Sequence, residues 1–309
     1  MSRLADLVQR AFSVLLLLAF ALGLALPVPA VHPAVVPVLL GTVLFLAVAR
    51  ITSRDLASVG LSDLLGFYAL RFVALPLVLW AAARVVWPEG AVAVLLFGLL
   101  PTGVTTTAVT AILQGNPAIA LAATVLSTAI APLAIPLAFL FLADGTVGLD
   151  PGAVGVTLLG LLFLPTALWF GVVRHIRPVA DVLRATGGPL SVGLICTIAL
   201  LVASAQRARV LEAPGRLGAL LVLGLLLYGG LYAMGLAWGA RADGRARRAW
   251  ALASGNSNIV LGLTLALLHL PEHAVTFLAW DLAWILALSA IQPVLRAMVP
   301  AGGEPWPGP

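Results

Sequence analysis

A polar interruption stands in a long apolar run at residues 99–110, which read LLPTGVTTTAVT. Pro101 removes a backbone N–H donor and clashes with the preceding helical turn, and Gly103 lets the backbone leave helical geometry at little cost. Loose carbonyls at such a break, together with nearby hydroxyls, can coordinate a cation or a polar substrate. The hydroxyls are those of Thr105, Thr106, Thr107 and Thr110. We interpret this interruption as part of a binding site.

A second interruption lies at residues 254–258, which read SGNSN and contain Gly255, Asn256, Ser257 and Asn258. A helix that restarts after a break presents free N–H groups and the positive end of its dipole, and these attract anions. Two such breaks, one in each half of a chain, predict a binding site near the middle of the membrane. The alternative is that the small residues only allow close helix packing.

Two further sets of polar side chains are candidates for the same site. One set consists of the hydroxyls of Thr124, Ser127 and Thr128, whose alternative role is hydrogen bonding between helices. The other is Asp281, the one acidic residue deep within an apolar segment. A charged residue at the bilayer centre costs roughly 3 kcal/mol on insertion scales, so it usually faces the protein interior. Asp281 is expected to face the site from the opposite half, unless it is a structural carboxyl.

Ten apolar segments carry these residues, and their composition predicts an all-α integral membrane protein. Hydrophobic residues make up 62% of the chain and charged residues only 9%, against about a quarter charged in soluble domains. The segments are at residues 12–30, 34–49, 65–87, 91–114, 117–142, 151–173, 188–205, 217–240, 247–268 and 272–298. The short connections leave no room for a soluble domain. No basic stripe with interleaved aromatic residues is present, so a nucleic-acid partner is not expected.

The distribution of arginine predicts that both termini are cytoplasmic, since cytoplasmic loops are enriched in basic residues. With that orientation, twelve arginines lie on the cytoplasmic side and four on the other. The twelve are Arg3, Arg10, Arg50, Arg54, Arg174, Arg177, Arg184, Arg241, Arg245, Arg247, Arg248 and Arg296. The four are Arg84, Arg207, Arg209 and Arg216. Arg71, near the start of the third segment, is expected to extend toward the cytoplasmic surface.

The ten segments divide into two sets of five, residues 1–143 and 144–309. Because five is odd, the second set enters the membrane from the opposite face, which predicts an inverted repeat of the kind found in many secondary transporters. The fourth member of each set carries the interruption. Gly103 and Gly255 lie 152 residues apart, which suits a repeat of about that length.

The two interrupted regions resemble those of the bile acid:sodium symporter family. The stretch PTGVTTTAVTAILQGNPAIALAATVLSTAIAPLAIP is similar to the family's fourth-to-fifth-helix signature, and SGNSNIVLGLTLAL is similar to its ninth-helix motif. The resemblance implies ten helices divided into a panel domain and a core domain, in which the broken helices four and nine cross. It also implies sodium-coupled uptake of organic anions.

Residue by residue, the resemblance is incomplete. Thr106 and Thr107 stand where sodium-coupled members have a Ser-Asn pair, and Ala253 and Ser257 stand where they have a sodium-binding Glu and Gln. The matching positions are Asn258, Thr124 and Thr128. These departures leave either sodium or a proton open as the coupling ion. Asp281 could replace the missing carboxylate at a sodium site or carry a proton, and the loss of the Glu and Gln favours the proton. Sodium could also be held without that glutamate, by Thr106, Thr107, Thr124 and loose carbonyls.

The sequence therefore favours a secondary active transporter of small organic anions, in the inner (plasma) membrane, working by alternating access. It is expected to need no cofactor other than sodium or a proton as coupling ion. One alternative is a receptor or sensor of the same fold that does not transport. Another is an intramembrane enzyme, but no histidine lies deep within a span, no carboxylate cluster of the D-D-x-x-D type is present, and Ser254 has no evident base. We expect no catalytic residues and no metal site.

Overall fold

The computed structural model describes residues 12–29, 31–32, 34–48, 59–103, 105–142 and 150–298. Within these residues the secondary structure is helical, apart from one isolated β-bridge. Several predicted features lie outside the described residues. They are Arg3, Arg10, Arg50, Arg54 and the junction at residues 143–144.

Thirteen α-helices follow one another along the described part of the chain. They are α1 (Phe12–Ala25), α2 (Val35–Val48), α3 (Leu61–Val86), α4 (Ala91–Leu99), α5 (Thr106–Ile112), α6 (Pro117–Leu142), α7 (Pro151–Gly171), α8 (Arg177–Ala205), α9 (Arg207–Glu212), α10 (Pro214–Trp238), α11 (Gly244–Gly255), α12 (Ile259–His269) and α13 (Ala274–Ala297). Helix α3 contains a π-helical stretch at Ala69–Ala74.

Six of the described helices are long and apolar enough to cross a membrane, namely α3, α6, α7, α8, α10 and α13. Helices α1, α2, α4 and α12 are shorter and also apolar. Large apolar side chains are exposed along the long helices; Val156 and Leu164 on α7, for example, are 71% and 68% exposed. Contact with lipid accounts for such exposure, since water would disfavour it. The helices thus have the composition of an integral membrane protein.

The seventh predicted segment begins earlier than expected. The apolar pattern predicts it at residues 188–205, whereas α8 begins at Arg177. Its first turns carry Arg177, Asp181 and Arg184, and the last two form an exposed salt bridge of 3.4 Å. Hydropathy does not detect this polar helical start, because the pattern follows apolar content and not helix formation.

The fourth and ninth predicted segments are both interrupted. The chain leaves helical geometry between α4 and α5, and again between α11 and α12. We refer to the two non-helical stretches, residues 100–103 and 256–258, as the crossover. Every residue in both stretches is buried.

The structure comprises two compact units. The first contains the described residues of Met1–Ile51, Pro136–Ala219 and Val260–Leu282. In this unit α8 packs against α1 and α2, and α7 packs against α2. A Cβ atom at Gly23 of α1 would lie only 2.4 Å from the Leu200 carbonyl oxygen of α8, so glycine is what allows these two helices to approach so closely.

The second unit contains the described residues of Thr52–Ile135, Leu220–Ile259 and Ala283–Pro309, and therefore the whole crossover. Helix α3 packs against α4. An aromatic cluster joins α3, α10 and α11 in this unit, and the ring centroid of Phe67 lies 6.3 Å from that of Trp238 and 4.8 Å from that of Trp250. These contacts hold α3 beside the helix that leads into the second break.

Candidate functional site

The two halves of the crossover satisfy each other's backbone. The Gly103 N–H donates to the Asn256 carbonyl at 2.6 Å, and the Asn258 N–H donates to the Pro101 carbonyl at 2.8 Å. The stretches run antiparallel. A buried backbone group without a partner is costly, above all in a membrane where water is absent. Mutual pairing is therefore how this protein accommodates two broken helices at one place.

Thr102 connects the first break to α6 and α11 by hydrogen bonds. It forms the β-bridge with Ser257. Its backbone N–H donates to the Ser127 hydroxyl of α6 at 3.0 Å, and its own hydroxyl donates to the Ala253 carbonyl of α11 at 2.9 Å. The last four carbonyls of a helix have no partner within the helix, so the Thr102 hydroxyl caps α11.

Arg71 does not extend to the cytoplasmic surface, and that expectation is wrong. The side chain, from the π-helical stretch Ala69–Ala74, is fully buried. Its Nε donates to the Ser254 carbonyl at 3.0 Å, its Nη1 to the Gly98 carbonyl at 2.7 Å, and its Nη2 to the Ser257 hydroxyl at 2.8 Å. The Arg71 side chain points inward to carbonyl acceptors instead of outward to water. The arginine thus contacts both interrupted helices.

Asn256 is held by two donors from neighbouring helices. Its Oδ1 accepts the Tyr232 hydroxyl at 2.6 Å and the Trp284 Nε1–H at 3.2 Å. Because both donors use Oδ1, the orientation of the amide is defined. Its Nδ2 has no hydrogen-bond partner among the described residues. The fixed amide therefore offers two N–H donors to a ligand.

The glycines of the two breaks supply space. Neither Gly103 nor Gly255 has a φ in the left-handed region between +20° and +160°. A Cβ atom on Gly103 would lie 3.2 Å from the Asn256 carbonyl oxygen, and one on Gly255 would lie 2.2 Å from the Tyr232 ring. Close approach of backbone and ring is what excludes larger residues there.

Unpartnered hydroxyls lie on the two helices that follow the first break. Thr106 and Thr110 are one turn apart on α5 and fully buried. Their hydroxyls, and that of Thr128 on α6, have no hydrogen-bond partner among the described residues. Thr105 and Thr107 are half-buried. Buried polar groups are normally satisfied, so the hydroxyls of Thr106, Thr110 and Thr128 are candidate ligands for an ion or a substrate.

The other two hydroxyls predicted for α6 are used within their own helix. Thr124 donates to the Ala120 carbonyl at 2.8 Å, and Ser127 donates to the Ala123 carbonyl at 2.7 Å. Each hydroxyl oxygen can still accept, and Ser127 does so from the backbone of the first break. Ser127 therefore has a positioning role that its sequence position alone did not indicate.

Asp281 belongs to the first unit, where it lies in α13 and is only 4% exposed. Its Oδ1 has no hydrogen-bond partner in the described part of the chain. The expectation that it lies deep in the protein agrees with this burial. Its role in binding or coupling stays a prediction.

The sequence pattern does not indicate the roles of four residues in this arrangement. The prediction for Arg71 is a surface position, and no prediction concerns Thr102, Tyr232 or Trp284. A signal was available for Arg71, because an ionisable residue within an apolar segment is by default a functional candidate. No local signal marks Tyr232 or Trp284, since their contact with Asn256 depends on the tertiary fold.

Apolar helices and a buried pairing of two helix breaks define a multi-pass membrane protein with a polar centre. A sequence model described as Sodium Bile acid symporter family matches residues 37–213. The chain belongs to this family. The match contains the first break and α6 but not residues 256–258. The second half of the crossover is therefore supported by the structure and not by this match.

A curated relative is an uncharacterized sodium-dependent transporter, YocS, of Bacillus subtilis (strain 168). It is 28% identical over 192 residues, which are 60% of this chain and 58% of the relative. The chain thus aligns with somewhat over half of the relative's length.

Proposed function

We propose that this protein is a sodium-coupled secondary transporter of small organic anions that works by alternating access. The observation that carries the proposal is the crossover, with buried, unpartnered polar groups on the elements around it. Paired helix breaks of this kind form the substrate and ion sites of many secondary transporters. Membership of a sodium symporter family and a relative described as sodium-dependent support the choice of coupling ion.

An anionic substrate fits the charge at the crossover. Arg71 is a buried cation, and no carboxylate forms a salt bridge with it in the described part of the chain. The free N–H groups of Asn256 add hydrogen-bond donors. An anion bound nearby would compensate buried positive charge. The family description, which names a bile acid, points to the same chemical class.

Sodium has oxygen ligands available in the hydroxyls of Thr106, Thr110 and Thr128. Hard cations prefer oxygen donors, and these hydroxyls have no partner among the described residues. A second candidate for the coupling ion is a proton carried by Asp281. The observation that favours it is a buried carboxyl with one unpartnered oxygen.

The proposed architecture has ten spans in two inverted repeats, residues 1–143 and 144–309. Helices α4–α5 and α11–α12 would be the broken fourth and ninth spans, crossing in a core domain. The proposed location is the inner (plasma) membrane with both termini in the cytoplasm, on the basis of the arginine distribution. A reporter active only in the cytoplasm should give signal when fused to residue 309. Silence there, with signal from a fusion after Glu89, would reverse the orientation.

Transport is tested with purified protein in liposomes and radiolabelled carboxylates that include a bile acid. We expect accumulation above equilibrium when an inward sodium gradient is imposed, and none with potassium. Thr106→Val should weaken sodium-dependent uptake, because a methyl replaces a hydroxyl of similar size. Binding without accumulation would instead indicate a receptor or sensor, and chemical conversion of the probe would indicate an enzyme.

A further inference from the structure

Arg71 lies where the carbonyl ends of both interrupted helices meet. Gly98 is in the last turn of α4, and Ser254 is in the last turn of α11. Carbonyls in the last turn of a helix lack intrahelical partners and carry the negative end of the helix dipole. In transporters with broken helices, such carbonyls coordinate the coupling cation. The carbonyl oxygens of Gly98 and Ser254 are therefore chemically suited to a cation.

The guanidinium of Arg71 already takes both of these oxygens. It donates to the Gly98 carbonyl at 2.7 Å and to the Ser254 carbonyl at 3.0 Å, and its third contact is the Ser257 hydroxyl at 2.8 Å. All three acceptors are uncharged oxygens. Arginine stays protonated in proteins, so a permanent positive charge is stabilised here by carbonyl and helix dipoles and keeps its net charge.

The surroundings of Arg71 exclude an ordinary structural ion pair. The side chain is 0% exposed, and within the described residues no carboxylate lies within salt-bridge distance of it. Burying a charge is costly unless it is well hydrogen-bonded. Its acceptors come from both broken helices, so the charge and the crossover stabilise each other. The π-helical stretch that carries it is a type of distortion frequent at functional sites.

We infer that Arg71 is a resident cation of the crossover, a covalently tethered substitute for an ion bound to the carbonyl ends of α4 and α11. A tethered cation cannot dissociate during the transport cycle. The crossover would therefore stay assembled without sodium, and the coupling ion would bind elsewhere, at the hydroxyls of α5 and α6. This inference rests on the proposed function, because it assigns one cation position within the proposed transporter.

The experiment compares the thermal unfolding of four variants in sodium chloride and in choline chloride, in detergent without substrate. The variants are Arg71→Ala, Arg71→Gln, Arg71→Lys and Arg84→Gln. The two neutral replacements of Arg71 leave the carbonyls without a cation, and sodium should then fill the vacancy. We expect their melting temperatures to be several degrees higher in sodium than in choline, by more than any difference shown by wild type.

Arg71→Lys keeps a charge and should show the wild-type difference between the two salts. Arg84→Gln is the matched control, since Arg84 lies on the same helix but is exposed, and it should also behave as wild type. Equal destabilisation of the neutral variants in both salts would overturn the inference and leave Arg71 a structural residue. If neither neutral variant folds, folding of Arg71→Lys supports a required cation, and its failure overturns the inference.

This outcome is independent of the proposed function, because unfolding requires no transport. Liposomes without sodium-driven accumulation would refute the transporter while leaving a sodium-specific rescue intact. Conversely, wild-type transport combined with no sodium-specific rescue would refute only the resident cation.

Discussion

Replacing Thr102 by valine tests whether the crossover depends on its side-chain cap. Thr102 is 1% exposed, and its hydroxyl donates to the Ala253 carbonyl at 2.9 Å. Valine has nearly the same shape, so little cavity is created. The substitution removes one hydrogen bond. It also leaves the buried Ala253 carbonyl, in the last turn of α11, without a donor, because the helix itself provides none there. Leaving such a group unsatisfied costs about 1–3 kcal/mol.

The matched control is Thr264→Val. Thr264 is also 1% exposed, but its hydroxyl donates to the Val260 carbonyl one turn earlier in its own helix. That carbonyl keeps its backbone partner when the hydroxyl is removed, so the expected change is below about 0.5 kcal/mol.

The assay is unfolding of the purified variants in mixed micelles, followed by tryptophan fluorescence, with the free energy of unfolding compared under identical conditions. The difference between Thr102→Val and Thr264→Val isolates the cap from the general effect of removing a buried threonine hydroxyl. Equal losses for the two variants would refute the reasoning, because the crossover would then gain no special stability from this hydrogen bond.

Three other substitutions test the space around Gly255, the binding role of Asn258 and the role of Asp281 in ion coupling. Gly255→Ala should prevent normal folding, seen as aggregation in size-exclusion chromatography, because its Cβ has no room; Gly230→Ala, with open space around it, should elute as wild type. Asn258→Ala should abolish transport in liposomes while the protein remains folded, whereas Ser191→Ala should transport normally. Asp281→Asn should lose most coupled uptake when sodium and pH gradients are varied independently. Full wild-type coupling in that variant would make Asp281 a structural residue.

The helix interruptions could be located from sequence because helix-breaking and polar residues are conspicuous within apolar runs. Pro101 and the 254–258 stretch needed no tertiary information. Their partners did, since the hydrogen bonds join residues that are about 150 positions apart. Periodicity and hydropathy describe one segment at a time, so they could not show that Thr102 caps α11 or that Tyr232 orients Asn256.

Arg71 shows why the side-chain level was harder to predict. An arginine near the boundary of an apolar segment usually reaches water along its long side chain, and the prediction for Arg71 rests on that tendency. Here the broken helices supply carbonyl acceptors in the interior, which changes the balance in favour of burial. Gly98 and Ser254 accept through backbone carbonyls, which every residue has, so their residue types do not mark them as acceptors.

The pairing of the two breaks has a consequence for the biosynthesis of the protein. Gly255 is translated 152 residues after Gly103, which at about 5–20 residues per second means a delay on the order of 8–30 s. During that interval the Gly103 N–H and the Pro101 carbonyl lack the partners that they have in the folded protein. A lipid environment supplies no substitute. Until the second break is synthesised, these two groups must therefore be hydrogen-bonded by water, the insertion machinery or another helix.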